Sequence, residues 1–449
     1  MLIAKIALGL FGLGVVVFIH ELGHFLAARF VGINVDAFSI GWGKPILKKK
    51  IGNTEYRLGM FPIGGYCKMQ GDSDHSNEAY ENLEKGIEPE KGSYHAASPA
   101  KRILVCLAGP LFNLIFAIIL LCFLWGFGFE IKTLDNRIVL ASEVTEEIYP
   151  ADIAGLKTGD RIIEINGKKV SYYHEIQENI ALNPEKNLPI TIDRDGEIYH
   201  FRITPSLDKS TGTGKIGVYF WTDTVIDTVF EDSPAMKAGI KPGDIITAAN
   251  SLPVQNSIDL LKIMEPRPDQ LVLDIDRSGI SQQVILNSED FEKELGITWE
   301  IIKYRTPNLS IPAAVAKGVK EGYKTLVISI TSLRLLFKGI DLTQAVSGPV
   351  RITYMMGDMA AQGFGQGVGT GFRFLIDFIA LISIAICVMN LLPLPILDGG
   401  MIILFLVEII RKKPASPKAI SIFQTCGMVI IFTLMAFALF GDIMYFIRR

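Results

Sequence analysis

Two histidines and a glutamate near the start of the chain have the types and the spacing of a zinc site that hydrolyses amide bonds. His20 and His24 are separated by one helical turn in the run His-Glu-Leu-Gly-His, so on a helix both imidazoles lie on one face and can reach one metal ion. Glu21 lies beside them, where it can take a proton from water that the metal activates. The pattern predicts zinc-dependent hydrolysis and requires a further ligand.

A carboxylate late in the chain is the candidate for that ligand. Asp398 follows a proline-broken stretch and precedes two glycines, an arrangement that lets a carboxylate oxygen approach a metal closely. Two histidines and one carboxylate leave a fourth position for water, as hydrolytic zinc sites require. The alternative is that Asp398 is a turn residue capping the break. Similarly, Asn390 could contact the substrate, or could satisfy backbone groups freed by Pro393 and Pro395.

Apolar segments of membrane-spanning length must position these residues. The chain has 449 residues, 49% of them hydrophobic, and a mean hydropathy of +0.34, which is too apolar for a soluble enzyme of this size. A span requires about 20 mostly apolar residues. Four segments reach that length, at 2–31, 103–129, 374–397 and 420–447. The first and third carry polar groups that, at bilayer depth, usually face a protein interior where they act chemically.

Composition and charge exclude other classes of protein. A net charge of -3 offers no basic surface for nucleic acid. The first apolar run has no small-residue cleavage site, so we interpret it as a retained span rather than a signal peptide. Residues 130 to 372 contain no cysteine, so the region between the second and third spans needs no disulfides.

Lysine and arginine in the short loops predict the orientation in the membrane. Lys101 and Arg102 precede the second span, and four basic residues, from Arg411 to Lys418, lie between the third and fourth. Those ends are therefore predicted to be cytoplasmic, which places the metal toward the cytoplasmic face of the membrane. The large insert then lies outside the cytoplasm.

The insert contains an internal repeat. Residues 150–167, which include Ala-Gly-Leu-Lys-Thr-Gly-Asp, recur 84 positions later at 234–251 with Ala-Gly-Ile-Lys-Pro-Gly-Asp. Short β-branched stretches with glycine turns surround each copy and indicate strands around a short helix. The pattern looks like tandem PDZ domains, which accept an extended peptide at a sheet edge. After the insert, the glycines from Gly357 to Gly371 predict a flexible connector, and Tyr323 to Lys338 predicts a helix lying at the membrane surface.

The chain resembles the bacterial site-2 proteases, the zinc intramembrane metalloproteases with tandem PDZ domains. The resemblance covers nearly the whole chain and is carried by residues 20–24, 38–43, 64–69, 108–113 and 390–400. It implies zinc held by His20, His24 and Asp398, and catalysis by Glu21. It also implies a membrane-dipping β-hairpin from Glu55 to Met69 and substrate contact by Asn390, Gly64, Gly65 and Tyr66. Many relatives have histidine where this chain has Met401.

The predicted fold is a multi-pass α-helical membrane protein with four transmembrane helices and a tandem PDZ (α+β) extracytoplasmic insert. Its predicted parts are a first span with the histidine motif (1–31), a cytoplasmic loop with the membrane-associated hairpin (32–102), a second span (103–129), two PDZ domains (130–209 and 210–303), an amphipathic connector (304–372), a third span that contains the third zinc ligand (373–398), and a cytoplasmic loop with the fourth span (399–449).

The resemblance implies a zinc-dependent intramembrane endopeptidase. Its expected substrates are transmembrane segments of single-pass proteins in the lipid bilayer, such as anti-sigma-type regulators or remnant signal peptides, cut beforehand by another protease. An alternative function is a PDZ-based membrane adaptor in which a structural metal site only holds the helices together. A metal transporter would need more intramembrane acidic residues or histidines along a path than this one cluster.

Overall fold

The computed structural model describes residues 2–71, 88–209, 211–266, 268–287, 294–335 and 348–447. The chain divides into two units, one formed by Met1–Phe129 with Thr306–Arg449 and the other by Glu130–Arg305. The helices are α1 (Leu2–Phe30), α2 (Pro99–Phe127), α3 (Ser142–Thr145), α4 (Pro150–Ala154), α5 (Tyr173–Ala181), α6 (Pro234–Lys237), α7 (Ser257–Met264), α8 (Ile311–Leu335), α9 (Pro349–Gly365), α10 (Val368–Asn390), α11 (Asp398–Arg411) and α12 (Pro417–Ile447).

The strands of the first unit are the two long strands β1 and β2, and the second unit contains all the others. They are β1 (Val35–Ile51), β2 (Thr54–Met69), β3 (Glu130–Thr133), β4 (Ile138–Leu140), β5 (Arg161–Ile165), β6 (Lys168–Lys169), β7 (Leu188–Arg194), β8 (Glu197–Ile203), β9 (Ser206–Leu207), β10 (Gly214–Lys215), β11 (Val218–Phe220), β12 (Ile226–Val229), β13 (Ile245–Ala249), β14 (Leu252–Pro253), β15 (Gln270–Arg277), β16 (Ile280–Asn287), β17 (Ile297–Trp299) and β18 (Ile302–Arg305).

Four helices of the described residues are long and apolar enough to cross a membrane. They are α1 from Ile3 onward, α2, α10 and α12. The predicted number of spans is confirmed, although α2 begins at Pro99 rather than at Ile103. A proline at the first helical position lacks only an N–H that would have no partner there, so the basic residues Lys101 and Arg102 fall inside the helix.

The prediction that the third span runs from 373 to 398 is wrong at its carboxyl end. The helix α10 ends at Asn390, and Asp398 is the first residue of the separate helix α11. Pro393 and Pro395 lie between them, and a proline cannot supply the N–H that helix continuation requires. Residues 399–411, predicted as a loop, are therefore helical, and the third candidate ligand opens a helix instead of ending one.

The predicted flexible connector is also wrong, because most of its glycines lie in helices and three of them, Gly357, Gly363 and Gly371, are tightly packed. A Cβ atom built on Gly357 of α9 would lie 1.7 Å from the carbonyl oxygen of Lys5 in α1, and one on Gly363 would lie 2.9 Å from Cα of Gly371 in α10. These glycines permit close helix packing, as small residues do between membrane helices. The predicted surface helix exists as α8 but begins at Ile311, and its predicted end at residues 336–338 lies outside the described residues.

The strands β1 and β2 form a sheet with four strand segments because both strands bend. Segments 45–51, 54–59, 35–40 and 65–69 lie side by side in that order, and neighbouring segments are antiparallel except 54–59 and 35–40, whose pairing runs parallel. A two-residue turn at Gly52 and Asn53 joins β1 to β2. The hairpin therefore spans 35–69, and the predicted bounds of Glu55 to Met69 are wrong. Segment 54–59 is interior, whereas 65–69 has a ladder partner on one side only among the described residues.

A buried ion pair joins α2 to α11. The guanidinium Nη2 of Arg102 donates to Oε2 of Glu408 at 2.7 Å, and both side chains are almost fully buried. The guanidinium also lies 4.4 Å from the ring centroid of Phe405, and Oε1 of Glu408 accepts from the backbone N–H of Ala415 at 3.3 Å. The pair thus fixes α11, which begins with Asp398, against the helix that packs on the histidines.

Replacing Glu408 by leucine is expected to lower the free energy of unfolding by about 3 to 5 kcal/mol, because it leaves a buried guanidinium without its counter-charge. The measurement is denaturant unfolding of the full chain in detergent. The double variant Arg102→Met with Glu408→Leu should recover most of the loss, since no buried charge then lacks a partner. A double variant as unstable as Glu408→Leu alone would contradict this account.

The second unit contains two copies of one arrangement, as the internal repeat predicts. The sheet β6-β5-β7-β8 of the first copy corresponds to the sheet β14-β13-β15-β16 of the second. In each copy an arginine bonds the carboxylate at the end of the repeated Gly-Asp run, Arg194 with Asp160 at 2.6 Å and Arg277 with Asp244 at 2.7 Å. Each copy therefore has its own core and the same internal ion pair.

The predicted division of the insert at 209/210 is wrong. Strand β11 pairs with β4 of the first copy, and the side chain of Ile216 is buried in the first copy's core. The second copy is closed in the same manner by the pairing of β12 with β17. Strands β3 and β18 pair at the two ends of the unit, so the chain enters and leaves it side by side. The first copy needs its last strand, so it extends beyond residue 209 to β11.

Candidate metal and active site

Three side chains from two distant parts of the sequence converge on one point. The Nε2 atoms of His20 and His24 are 3.1 Å apart. Nε2 of His20 lies 3.3 Å from Oδ2 of Asp398, and Nε2 of His24 lies 3.6 Å from Oδ1. Among the described residues this is the one group of at least three His, Cys, Asp or Glu side chains whose ligand atoms all lie within 4.8 Å of one another.

The geometry of the three side chains fits a zinc ion. Ligand atoms about 2.0 to 2.2 Å from a tetrahedral zinc ion are roughly 3.3 to 3.6 Å from one another. The three separations of 3.1, 3.3 and 3.6 Å are close to that range. The donor set of two imidazoles and one carboxylate is also the one found in hydrolytic zinc sites with an open fourth position. His20, His24 and Asp398 could therefore hold zinc.

The ring of His24 is oriented by α2. Its Nδ1 donates to the carbonyl oxygen of Val105 at 2.9 Å. A proton on Nδ1 leaves the lone pair on Nε2, which faces His20 and Asp398. The ring of His20 presents Nε2 to the same point, while its Nδ1 lies 3.5 Å from Nδ2 of Asn113.

Two glycines let α1 and α2 approach closely enough to form the site. A Cβ atom on Gly109 would lie 2.4 Å from Nε2 of His24 and 2.8 Å from Cε1 of His20. A Cβ atom on Gly23 would lie 2.5 Å from the carbonyl oxygen of Ala108. Gly109 belongs to segment 108–113, one of those that carry the family resemblance, but its contact with the histidines was not predicted from the sequence.

A packed loop places Asp398 at the histidines. Cβ atoms built on Gly399 and Gly400 would lie 2.1 to 2.5 Å from backbone atoms of residues 391–394. Ile396 has a φ of +77°, a strained value for a β-branched residue, and Gly427 of α12 packs against Pro395. The double glycine thus allows α11 to begin directly against the loop, and the carboxylate at its first residue faces the histidines rather than solvent.

Asn390 is beside the proposed ligands. It is the last residue of α10, half-buried, and its Nδ2 lies 3.4 Å from Nε2 of His20. Its amide faces the candidate metal site, so its position is compatible with contact to a substrate bound there. The structure thus brings Asn390 to the predicted site, and its role there stays a prediction.

Glu21 faces the edge of the β1/β2 sheet. A Cβ atom on Gly65 would lie 3.4 Å from Cγ of Glu21. Gly64 has a φ of +85° and packs on the indole of Trp42, while the hydroxyl of Tyr66 accepts from Nη1 of Arg57 at 2.9 Å. Of the three residues in β2 that are predicted to contact substrate, Gly65 is therefore the one beside Glu21, and the other two contact side chains of their own sheet.

The other described histidines are not part of this group of candidate ligands. His174 bonds Thr133 and His200 bonds Thr191 through Nδ1. His95 is half-buried, and burial together with the positive charge of Arg102 lowers its pKa to about 4. His75 lies outside the described residues.

Comparison with known proteins gives one consistent result. The model of peptidase family M50 matches residues 8–434. A protein of Treponema pallidum (strain Nichols), named as a zinc metalloprotease, is 35% identical over 445 residues, which are 98% of each chain. A regulator of sigma E protease from Haemophilus influenzae is 30% identical over 459 residues, 96% of each chain. These similarities extend over both parts of the candidate site, α1 and α11.

Proposed function

This chain belongs to peptidase family M50 and is a zinc metalloprotease of a membrane, and we propose that it hydrolyses peptide bonds within membrane-spanning segments of single-pass proteins. The convergence of His20, His24 and Asp398 carries the proposal. Two of these ligands lie on α1, one of the four helices that can span a membrane. A hydrolytic site on such a helix has its natural substrates in the bilayer.

Each residue of the site has a proposed role. His20, His24 and Asp398 would hold the zinc ion, which would act as a Lewis acid toward water and the substrate carbonyl group. Glu21 takes the proton of the attacking water and later delivers it to the leaving amine. Asn390, beside His20, donates from its amide to the substrate carbonyl.

The sheet edge at 65–69 is the proposed docking strand for the substrate. A membrane-spanning helix hides its carbonyl groups in hydrogen bonds, so it must be unwound before hydrolysis. Segment 65–69 has an open ladder side among the described residues and passes Glu21 at Gly65. An unwound substrate that adds to this edge exchanges its helical hydrogen bonds for ladder bonds next to the catalytic base. Exposed Ile46 and Leu47 support contact of this sheet with the membrane.

The insert is proposed to be a pair of PDZ domains on the extracytoplasmic side of the bacterial inner membrane, with the metal toward the cytoplasmic side. The two matching four-stranded sheets support the duplication, and the basic loops support the orientation. A relative is named a regulator of sigma E protease, which supports anti-sigma-type regulators as substrates. The insert is proposed to exclude such proteins until another protease has removed their outer domains.

The proposed function is tested with a truncated single-span reporter in proteoliposomes. Cleavage within the span is expected from the full chain, is expected to stop when a zinc chelator removes the metal, and should return when zinc is restored. A membrane adaptor with a structural metal would give no cleavage in any of these samples. Cleavage that persists after complete removal of zinc would also overturn the proposal.

Removing the insert is expected to permit cleavage of substrates that keep their outer domains. Thr133 and Ile302 face each other in the ladder of β3 and β18, so an Asn-Gly turn can replace residues 134–301 and keep both strands paired. The measurement compares this variant and the full chain on the full-length and the truncated substrate. Activity on the truncated substrate is the control. Continued dependence on prior truncation would contradict the exclusion role.

A further inference from the structure

A fully buried asparagine on α2 faces the side of His20 that points away from the candidate metal site. The side chain of Asn113 is completely buried, and its Nδ2 lies 3.5 Å from Nδ1 of His20. Its Oδ1 is buried and has no hydrogen-bond partner among the described residues. A buried amide oxygen without a partner is unfavourable, because it loses its hydrogen bonds to water and gains none in the protein, so this arrangement requires a physical reason.

Metal binding by His20 provides that reason. When Nε2 binds a metal, the ring proton lies on Nδ1, and Nδ1 then becomes a donor. A 180° rotation of the Asn113 amide exchanges Oδ1 and Nδ2 at the same positions. The oxygen then accepts the Nδ1 proton of His20, and the amide nitrogen takes the buried position that the oxygen held. The same relation already exists for His24, whose Nδ1 donates to the carbonyl oxygen of Val105 at 2.9 Å.

We propose that Asn113 is a positioning residue for the metal site, whose Oδ1 accepts the Nδ1 proton of His20 and holds Nε2 toward the metal. Its own position is fixed by α10, where the hydroxyl of Ser383 donates to the backbone carbonyl of Asn113 at 2.9 Å. Partners of this kind set the tautomer and the ring orientation of a ligating histidine and raise its basicity. The inference rests on the proposed metal site.

The test measures zinc affinity of the full chain in detergent, by titration of the metal-free protein with zinc against a chromophoric chelator at constant pH. Asn113→Leu keeps the branched shape and the number of side-chain heavy atoms without an acceptor, and should bind zinc about 10- to 100-fold more weakly. Asn113→Asp supplies a stronger acceptor and should bind zinc at least as tightly as the wild type. A packing role predicts the opposite order, because a buried carboxylate without a partner is worse than leucine.

Control variants separate this inference from the proposed site. Thr353→Val removes a buried polar group elsewhere, the hydroxyl that donates to the carbonyl oxygen of Pro349 in α9, and should leave zinc affinity unchanged. If the wild type binds no zinc, or if His20→Ala binds it as well as the wild type, the metal site itself fails. If His20→Ala loses zinc while Asn113→Leu keeps wild-type affinity, only the role of Asn113 is overturned. Should Asn113→Leu not fold, a tenfold weaker affinity of Asn113→Asp overturns it alone.

Discussion

Replacing Glu21 by glutamine is expected to reduce the rate of intramembrane cleavage by about 10²- to 10⁴-fold and to leave zinc bound. Glutamine has the shape of glutamate but cannot accept the proton of the attacking water. Zinc binding should survive because the three proposed ligands, His20, His24 and Asp398, are unchanged. The measurements are the initial rate on the truncated single-span reporter and the zinc content of the same preparation.

The matched control is Glu147→Gln, an identical chemical change at an exposed position in the insert. Its cleavage rate should equal that of the wild type. Cleavage by Glu21→Gln at more than about a tenth of the wild-type rate would exclude Glu21 as the general base. Loss of zinc in that variant would instead assign it a structural part in the metal site.

Replacing Gly109 by alanine is expected to destroy the metal site and with it all cleavage. The added methyl group would lie 2.4 Å from Nε2 of His24 and 2.8 Å from Cε1 of His20. Neither helix can move aside easily, because Gly23 of α1 is already in close contact with the backbone of Ala108. The rings must therefore turn away from Asp398. We expect zinc affinity to fall by at least about 100-fold.

The control for this variant is Gly126→Ala in the same helix. A Cβ atom there would meet only Cβ of Ala314, at 3.8 Å, which is an ordinary van der Waals contact. Gly126→Ala should keep wild-type zinc affinity and activity and a similar thermal midpoint, since alanine is the better helix former. Equal loss in both variants would mean that the loss does not arise from contact of the new methyl group with the histidines. Retention of zinc by Gly109→Ala would contradict the described packing of α1 on α2.

Local patterns predicted the parts of the site that lie within one element. His20, Glu21 and His24 are neighbours on one helix, so their spacing alone predicts two imidazoles on one face and a carboxylate beside them. The four spans were predictable for a similar reason, because the number of consecutive apolar residues must match the thickness of a membrane. The internal repeat likewise depends only on comparison of the chain with itself.

Boundaries were predicted less well because distant segments decide where an element ends. The first copy in the insert extends beyond residue 209 because β11 returns to pair with β4. The glycines from Gly357 to Gly371 indicated a flexible connector, but the lack of a side chain at Gly357, Gly363 and Gly371 permits contacts with α1 and between α9 and α10. A glycine-rich stretch has the same composition in both cases, and only the neighbouring helices distinguish them.

The sequence alone was enough to predict the chemistry proposed for this protein, from a histidine pair with a glutamate on a helix of spanning length and a candidate carboxylate at Asp398. How these proposed ligands meet depends on tertiary packing. Only the packing of α2 on α1 shows that Gly109 touches both histidines and that Asn113 faces His20, and only the sheet register makes 65–69 an edge beside Glu21. Residue type and spacing limit which reactions are possible, whereas distances between side chains far apart in the chain arise only when helices and strands pack together.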